Sequence, residues 1–214
     1  MTNEPKELVV RIEDSRKLFP RKTIKLRPGL TVLVGCNGMG KTTTIDELCS
    51  KLEERDNIVL SYYCNTRDGG YRGVDNMMYR GKTLEAINAS MVSEGEQIKT
   101  FLCDFIKNLG SLHVKNPGKT KVVLFDGIDS GYSIDQILEI KKFLHEMIVF
   151  NTDPVYIVVS ANTFEFARGE RCLYVGTLKY MNKEFTDYEQ YKKFVLSSRK
   201  KKLDRYNKKN RKES

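Results

Sequence analysis

The chain has 214 residues, of which 40% are hydrophobic, and a formal net charge of +9, values that fit one globular unit with a single core. No apolar run approaches the roughly 18 to 20 residues of a membrane span, and the N-terminus lacks a secretory pattern, so we expect a cytoplasmic protein without membrane contact. The five scattered cysteines lack C-x-x-C spacing and there are only two histidines, which argues against disulfides, structural zinc and a histidine-based metal site.

Two short strand patterns open the chain. Residues 7–12 are rich in β-branched and apolar side chains and tend toward strand alternation, and residues 23–26, before Pro28 and Gly29, resemble the partner of a hairpin whose next strand leads into a glycine-rich loop. These patterns predict an antiparallel β edge at the N-terminal side of the fold.

A phosphate-binding loop follows the next strand. Residues 35–42 read G-C-N-G-M-G-K-T, and they lie between an apolar run over 30–34 and a helical pattern over 43–54. In such a loop glycines let backbone N–H groups close around phosphate oxygens, Lys41 neutralises the β and γ phosphates, and the Thr42 hydroxyl ligates Mg²⁺. We therefore expect a nucleotide site that also holds Mg²⁺.

The middle of the chain combines strands and helices. Residues 57–63 predict a strand, and residues 82–92 and 97–109 show helical spacing that predicts two packed helices, a small helical subdomain. Further along, 121–125 and 155–159 predict buried strands on either side of a helix over 133–150. This alternation indicates a mainly parallel α/β sheet flanked by helices.

Two further motifs accompany the loop. Asp126 ends an apolar strand and is the expected partner of Thr42 at magnesium. Residues 93–97 read S-E-G-E-Q at a helix start, where Ser93 and the N–H of Gly95 could bind an anion, although Ser93 and Glu96 also fit an ordinary capping box.

The order of these motifs resembles the ATP-binding-cassette (ABC) ATPase superfamily, in particular its soluble chromosome-maintenance and repair ATPases. The resemblance spans roughly residues 7–175 and implies an α/β P-loop NTPase head that dimerises around ATP. Ser93 and Gly95 of one subunit would then contact the γ phosphate held by Lys41 of the other, and Glu96 would lie near the interface. The resemblance also assigns the phosphate contacts, which are Asn37, Gly38, Met39, Gly40, Lys41, Thr42 and Thr43. Only residues 43–92 separate the loop from Ser93, too few for coiled-coil arms, so the chain resembles the bare heads found in phages and bacteria.

The sequence departs from this family at catalytic positions. Gly127 stands where the family has the glutamate that polarises water, and Asn162 stands at the position of the switch histidine. Asparagine can form hydrogen bonds but cannot change charge near neutral pH. Asp129 is a candidate replacement base. We therefore expect binding with slow or impaired hydrolysis, because losing a positioned base costs on the order of 10²- to 10⁴-fold in rate.

The charge is concentrated at the C-terminus. Residues 197–214 hold nine Lys or Arg and two acidic residues, a local charge of +7 that leaves +2 for the rest. We divide the chain into an ATP-binding domain, 1–196, and a basic tail, 197–214. A helical pattern from 188 to roughly 206 is expected to fray into this tail. The tail could bind nucleic acid or simply be solvated.

Three other functions stay open. The chain could be a nucleotide-gated regulatory subunit of an effector protein such as a nuclease, without nucleic-acid contact. A transporter motor is disfavoured by the S-E-G-E-Q variant. A small-molecule kinase shares the loop but would need an arginine-rich lid, for which only Arg67, Arg72 and Arg80 are available.

Overall fold

A computed structural model describes residues 7–12, 23–64 and 94–213. The strands are β1 (Leu8–Arg11), β2 (Thr23–Leu26), β3 (Gly29–Val34), β4 (Ile58–Cys64), β5 (Thr120–Asp126), β6 (Val155–Ser160), β7 (Cys172–Tyr174) and β8 (Lys179–Tyr180). The helices are α1 (Lys41–Glu53), α2 (Glu94–Lys115), α3 (Ile134–Phe150), α4 (Phe164–Ala167) and α5 (Tyr188–Glu213).

Six strands form one sheet in the order β4-β5-β6-β3-β7-β8, and every pair is parallel except β7 with β8. This confirms the predicted α/β class with a mainly parallel sheet. Strand β6 lies between β3, which leads into the phosphate loop, and β5, which ends at Asp126. Because parallel strands end at the same edge, the loop, Asp126 and the residues after β6 are brought to one edge of the sheet.

The central strands are buried along their whole length. Every residue of β6 is buried, as are all but the first residues of β3 and β5, because helices cover the sheet. Helix α2 packs on β4 and β5 through an aromatic cluster, in which the ring of Phe105 lies 5.3 Å from Tyr63 and 5.4 Å from Phe125 between centroids. The core therefore extends from the sheet to α2.

The N-terminal strands form a separate ladder. β1 pairs antiparallel with β2, from Leu8 opposite Leu26 to Arg11 opposite Thr23. The expected antiparallel pair is present, but it is a two-stranded sheet of its own rather than an edge of the six-stranded sheet. The other helix expected for the small subdomain, over 82–92, lies outside the described residues.

The C-terminal basic segment continues a helix. α5 runs without a break from Tyr188 to Glu213, so no change in secondary structure marks the boundary placed between residues 196 and 197. Within the described ranges, no helix combines the length and the apolar character that crossing a bilayer would require.

Candidate nucleotide site

The phosphate loop connects β3 to α1 through residues 35–40. Gly38 and Gly40 adopt φ values of +70° and +106°, in the left-handed region that favours glycine. The Met39 N–H donates to the Cys36 carbonyl oxygen at 3.1 Å, and Met39 is only 8% exposed. A turn anchored in the core thus holds the loop at the N-terminus of α1, where backbone N–H groups and the helix dipole favour an anion.

Lys41 is the first residue of α1, and it is 8% exposed. Its Nζ donates to the carbonyl oxygen of Gly35 at 2.8 Å. Burial lowers the pKa of the Lys41 ammonium, while the nearby Asp129, Cys36 and Asp126 act in the opposite direction. Thr42, the next residue, is exposed in the first turn of the helix.

Asp126 ends β5 with a carboxylate that is 5% exposed and oriented by its neighbours. The hydroxyl of Ser160, at the end of β6, donates to Oδ1, and the Cys64 thiol lies 3.9 Å from Oδ2. The same Ser160 oxygen accepts the Gly127 N–H at 2.9 Å. Ser160 therefore fixes both the expected magnesium aspartate and the residue after it.

The two positions that the sequence singled out for catalysis lie side by side, a buried Asp129 and an exposed Asn162. Asp129 is 5% exposed, and its Oδ2 accepts the backbone N–H groups of Asn162 and Thr163, each at 2.6 Å. Its Oδ1 is buried and has no hydrogen-bond partner in the described part of the chain. This arrangement ties the turn after β5 to the end of β6 and places a carboxylate where it acts on Lys41.

Helix α5 crosses the phosphate loop, which the sequence did not indicate. One face of the helix bonds to backbone groups of three loops at the edge of the sheet. Tyr191 Oη donates to the Asn162 carbonyl at 2.8 Å, and the buried Ser198 Oγ accepts the Cys36 N–H at 3.1 Å. Lys202 Nζ donates to the Asn37 carbonyl at 3.0 Å, and Arg205 Nη2 donates to the Gly176 carbonyl at 2.7 Å.

A cavity of about 470 Å³ lies between this helix and the loop. The loop side is polar backbone, and α5 contributes two cations. Its lining includes Gly35, Asn37, Asn162, Tyr191, Arg199 and Lys202. It is therefore an anion-compatible space at the edge of the phosphate loop.

The predicted γ-phosphate segment around Ser93 is only partly covered by the described residues. Ser93 lies outside the described residues, and Gly95 and Glu96 fall in the first turn of α2. Among the residues that are described, the structure brings together the loop, Asp126, Asp129 and Asn162. Gly127 has φ +66°, which suits glycine at this turn.

The sequence analysis did not identify four residues that contact the site, which are Ser160, Tyr191, Ser198 and Lys202. The one signal in the sequence was the spacing of 7, 4 and 3 residues along α5, which places Tyr191, Ser198, Lys202 and Arg205 on a common helix face.

Comparisons with known proteins show which family the chain resembles. The model of a family described as AAA domain matches residues 24–167. The nucleoside-triphosphatase THEP1 of Saccharolobus solfataricus is 32% identical over 172 residues, which cover 78% of this chain and 92% of that protein. The crystal structure of Cdc6p from Pyrobaculum aerophilum matches 63% of this chain at 13% identity with a TM-score of 0.34, and the chain spans about a third of that protein, 32%.

Proposed function

The chain belongs to the AAA-domain family of proteins, and from that premise we propose that it is a P-loop nucleoside triphosphatase that binds ATP with Mg²⁺ at the loop over residues 35–42. One observation carries the proposal. The buried Lys41 ammonium, at the end of a glycine loop, lies within the electrostatic reach of two carboxylates from other turns, Asp129 and Asp126. The printed name of the relative THEP1, a nucleoside-triphosphatase, supports the same reaction class.

The residues present suit magnesium. Thr42 offers an exposed hydroxyl, and Asp126 offers a carboxylate whose orientation Ser160 fixes, a set of oxygen donors that Mg²⁺ prefers. When bound, the ion would neutralise charge on the phosphates. Lys41 and the loop N–H groups would bind and orient the triphosphate, with contacts from Asn37, Gly38, Met39, Gly40 and Thr43.

We propose that hydrolysis is slow. Gly127 has no side chain that could polarise water, and Asp129 could leave its position only by breaking the two hydrogen bonds from Asn162 and Thr163. Binding and turnover are therefore separable properties of this site.

Phosphate release under steady-state conditions, together with ATP titration, tests both parts. We expect the wild type to bind ATP and Lys41→Ala to lose this binding. We expect the turnover of the wild type to lie far below that of an enzyme with a positioned base. Absence of ATP binding by the folded wild type would refute the function. Fast turnover that Asp129→Asn eliminates would instead refute only the slow-hydrolysis part.

The finer proposal is an ATP-dependent homodimer of the ABC type. The comparisons support a P-loop NTPase without distinguishing that type, so this proposal rests on the order of the three motifs in the sequence. The mass in solution, measured with and without Mg·ATP, should double only with nucleotide. Lys41→Ala and Ser93→Ala should both stay monomeric, and a monomer under all conditions would contradict the proposal.

A role beside nucleic acid is the accompanying proposal. Arg199, Lys200 and Lys201 are exposed on α5 and could neutralise phosphates of DNA or RNA. Binding should weaken steeply with salt and weaken further when Lys200 and Lys201 are changed to Gln. Unchanged affinity in that variant would assign the basic segment no such role.

A further inference from the structure

Lys202 holds a positive charge against the phosphate loop. Its Nζ donates to the Asn37 carbonyl at 3.0 Å, and a methyl group added to Gly38 would lie only 2.5 Å from that nitrogen. Lys202 and Asn37 are 165 positions apart in the chain, so their hydrogen bond depends on the packing of α5 and not on local sequence. The second ammonium of the site thus comes from a distant helix.

The environment of Lys202 differs from that of Lys41. Lys41 has the carboxylates of Asp126 and Asp129 nearby. Lys202 has no ion-pair partner among the described residues, and it lines the cavity together with a second cation, Arg199. Within the described ranges neither cation has a carboxylate partner, and both face a loop of the type that binds anions, so this site still requires negative charge.

The position of the two ammonium groups indicates which part of a nucleotide would supply that charge. Lysine at the end of such a loop reaches the β and γ phosphates. Lys41 Nζ reaches back to the Gly35 carbonyl, and Lys202 Nζ contacts the carbonyl two residues further on, at Asn37. Both ammonium groups therefore flank the start of the loop, where the terminal phosphates of a bound nucleotide would lie.

We propose that Lys202 binds the terminal phosphate of the nucleotide, assisted by Arg199. The ammonium exchanges the Asn37 carbonyl for a γ-phosphate oxygen, with no covalent change and no proton transfer. A triphosphate then gains an ionic contact that a diphosphate does not reach. The inference rests on the proposed nucleotide binding at the loop and adds a contact from α5 that distinguishes ATP from ADP.

Binding of Mg·ATP and Mg·ADP to four proteins tests this assignment: the wild type, Lys202→Met, Lys202→Arg and the control Lys193→Met, which removes an exposed lysine from the same helix. A hydrogen bond to a charged group changes affinity by about tenfold or more. We expect Lys202→Met to weaken ATP binding about tenfold and ADP binding by less than about twofold, Lys202→Arg to retain the ATP preference, and Lys193→Met to match the wild type. Thermal unfolding of each variant shows whether the fold is intact.

The outcomes separate the two proposals. A wild type that is folded but binds neither nucleotide refutes nucleotide binding and the Lys202 contact with it. A wild type that binds ATP, with Lys202→Met showing the same ATP-to-ADP ratio, refutes the Lys202 contact alone, whether affinity is unchanged or both nucleotides are weakened equally by a structural effect.

Discussion

Replacing Ser160 with alanine should damage both the fold and the magnesium side of the site. Ser160 is 3% exposed, its hydroxyl donates to Asp126 Oδ1, and its oxygen accepts the Gly127 N–H at 2.9 Å. A hydrogen bond to a charged group contributes about 1.5–3 kcal/mol, and leaving a buried N–H unpaired costs about 1–3 kcal/mol. Because relaxation recovers part of this loss, we expect the free energy of unfolding to fall by about 3 kcal/mol.

Urea unfolding with and without Mg·ATP measures both effects. In the wild type, ligand at about 100 times its Kd should add about 2.7 kcal/mol. In Ser160→Ala the part of this gain that depends on Mg²⁺ should shrink, since the Asp126 carboxylate is no longer oriented. Ser61→Ala is the matched control, because Ser61 is also buried in a strand but its Oγ has no hydrogen-bond partner in the described part of the chain. Equal destabilisation by the two substitutions would refute the reasoning.

Three further predictions concern the loop, the turn after β5 and the core. ATP affinity should begin to fall with rising pH before the ordinary lysine range is reached, because burial lowers the pKa of Lys41 and the ammonium that binds phosphate is lost above that pKa. Fluorescence titration should show a flatter pH profile for Lys41→Arg. Gly127→Ala should lower the free energy of unfolding by about 1–2 kcal/mol, because Gly127 has φ +66°, and a loss below about 0.3 kcal/mol in urea unfolding would contradict the strain argument. Phe125→Ala should cost about 3–5 kcal/mol, since the ring is fully buried against Phe105, whereas a loss below about 1 kcal/mol by the same method would indicate that the cluster closes around the gap.

The strands and the loop followed from local patterns in the sequence. Apolar runs such as those over 121–125 and 155–159 are typical of strands buried on both faces, and a strand followed by a glycine loop and a helix constrains the chain locally. The helix after residue 188 was also predictable, as was the capacity of the Asn162 side chain to form hydrogen bonds. These features depend on residues close together in the chain.

The sequence could not predict the contacts that complete the site. Ser160 looks like the last residue of an apolar strand, and its role depends on the register that places β6 beside β5. The bond between Cys36 and Ser198 joins residues 162 positions apart. The basic composition of α5 suggested a solvated end or an external anion, while only its packing reveals that Lys202 faces the phosphate loop. Side-chain direction relative to a distant element is a tertiary property that spacing alone does not determine.

The hydrogen bond from Cys36 to Ser198 also makes the order of synthesis matter. During translation the glycine loop leaves the ribosome long before α5 exists, so until then the Cys36 N–H has water or a non-native group as its partner. Native contacts between such distant segments form late and slow folding. Consequently, deleting residues of α5, or fusing a tag within this helix, changes the phosphate loop and the cavity beside it. A fragment that ends before Ser198 would be a poor substitute for the 214-residue chain in any ligand assay.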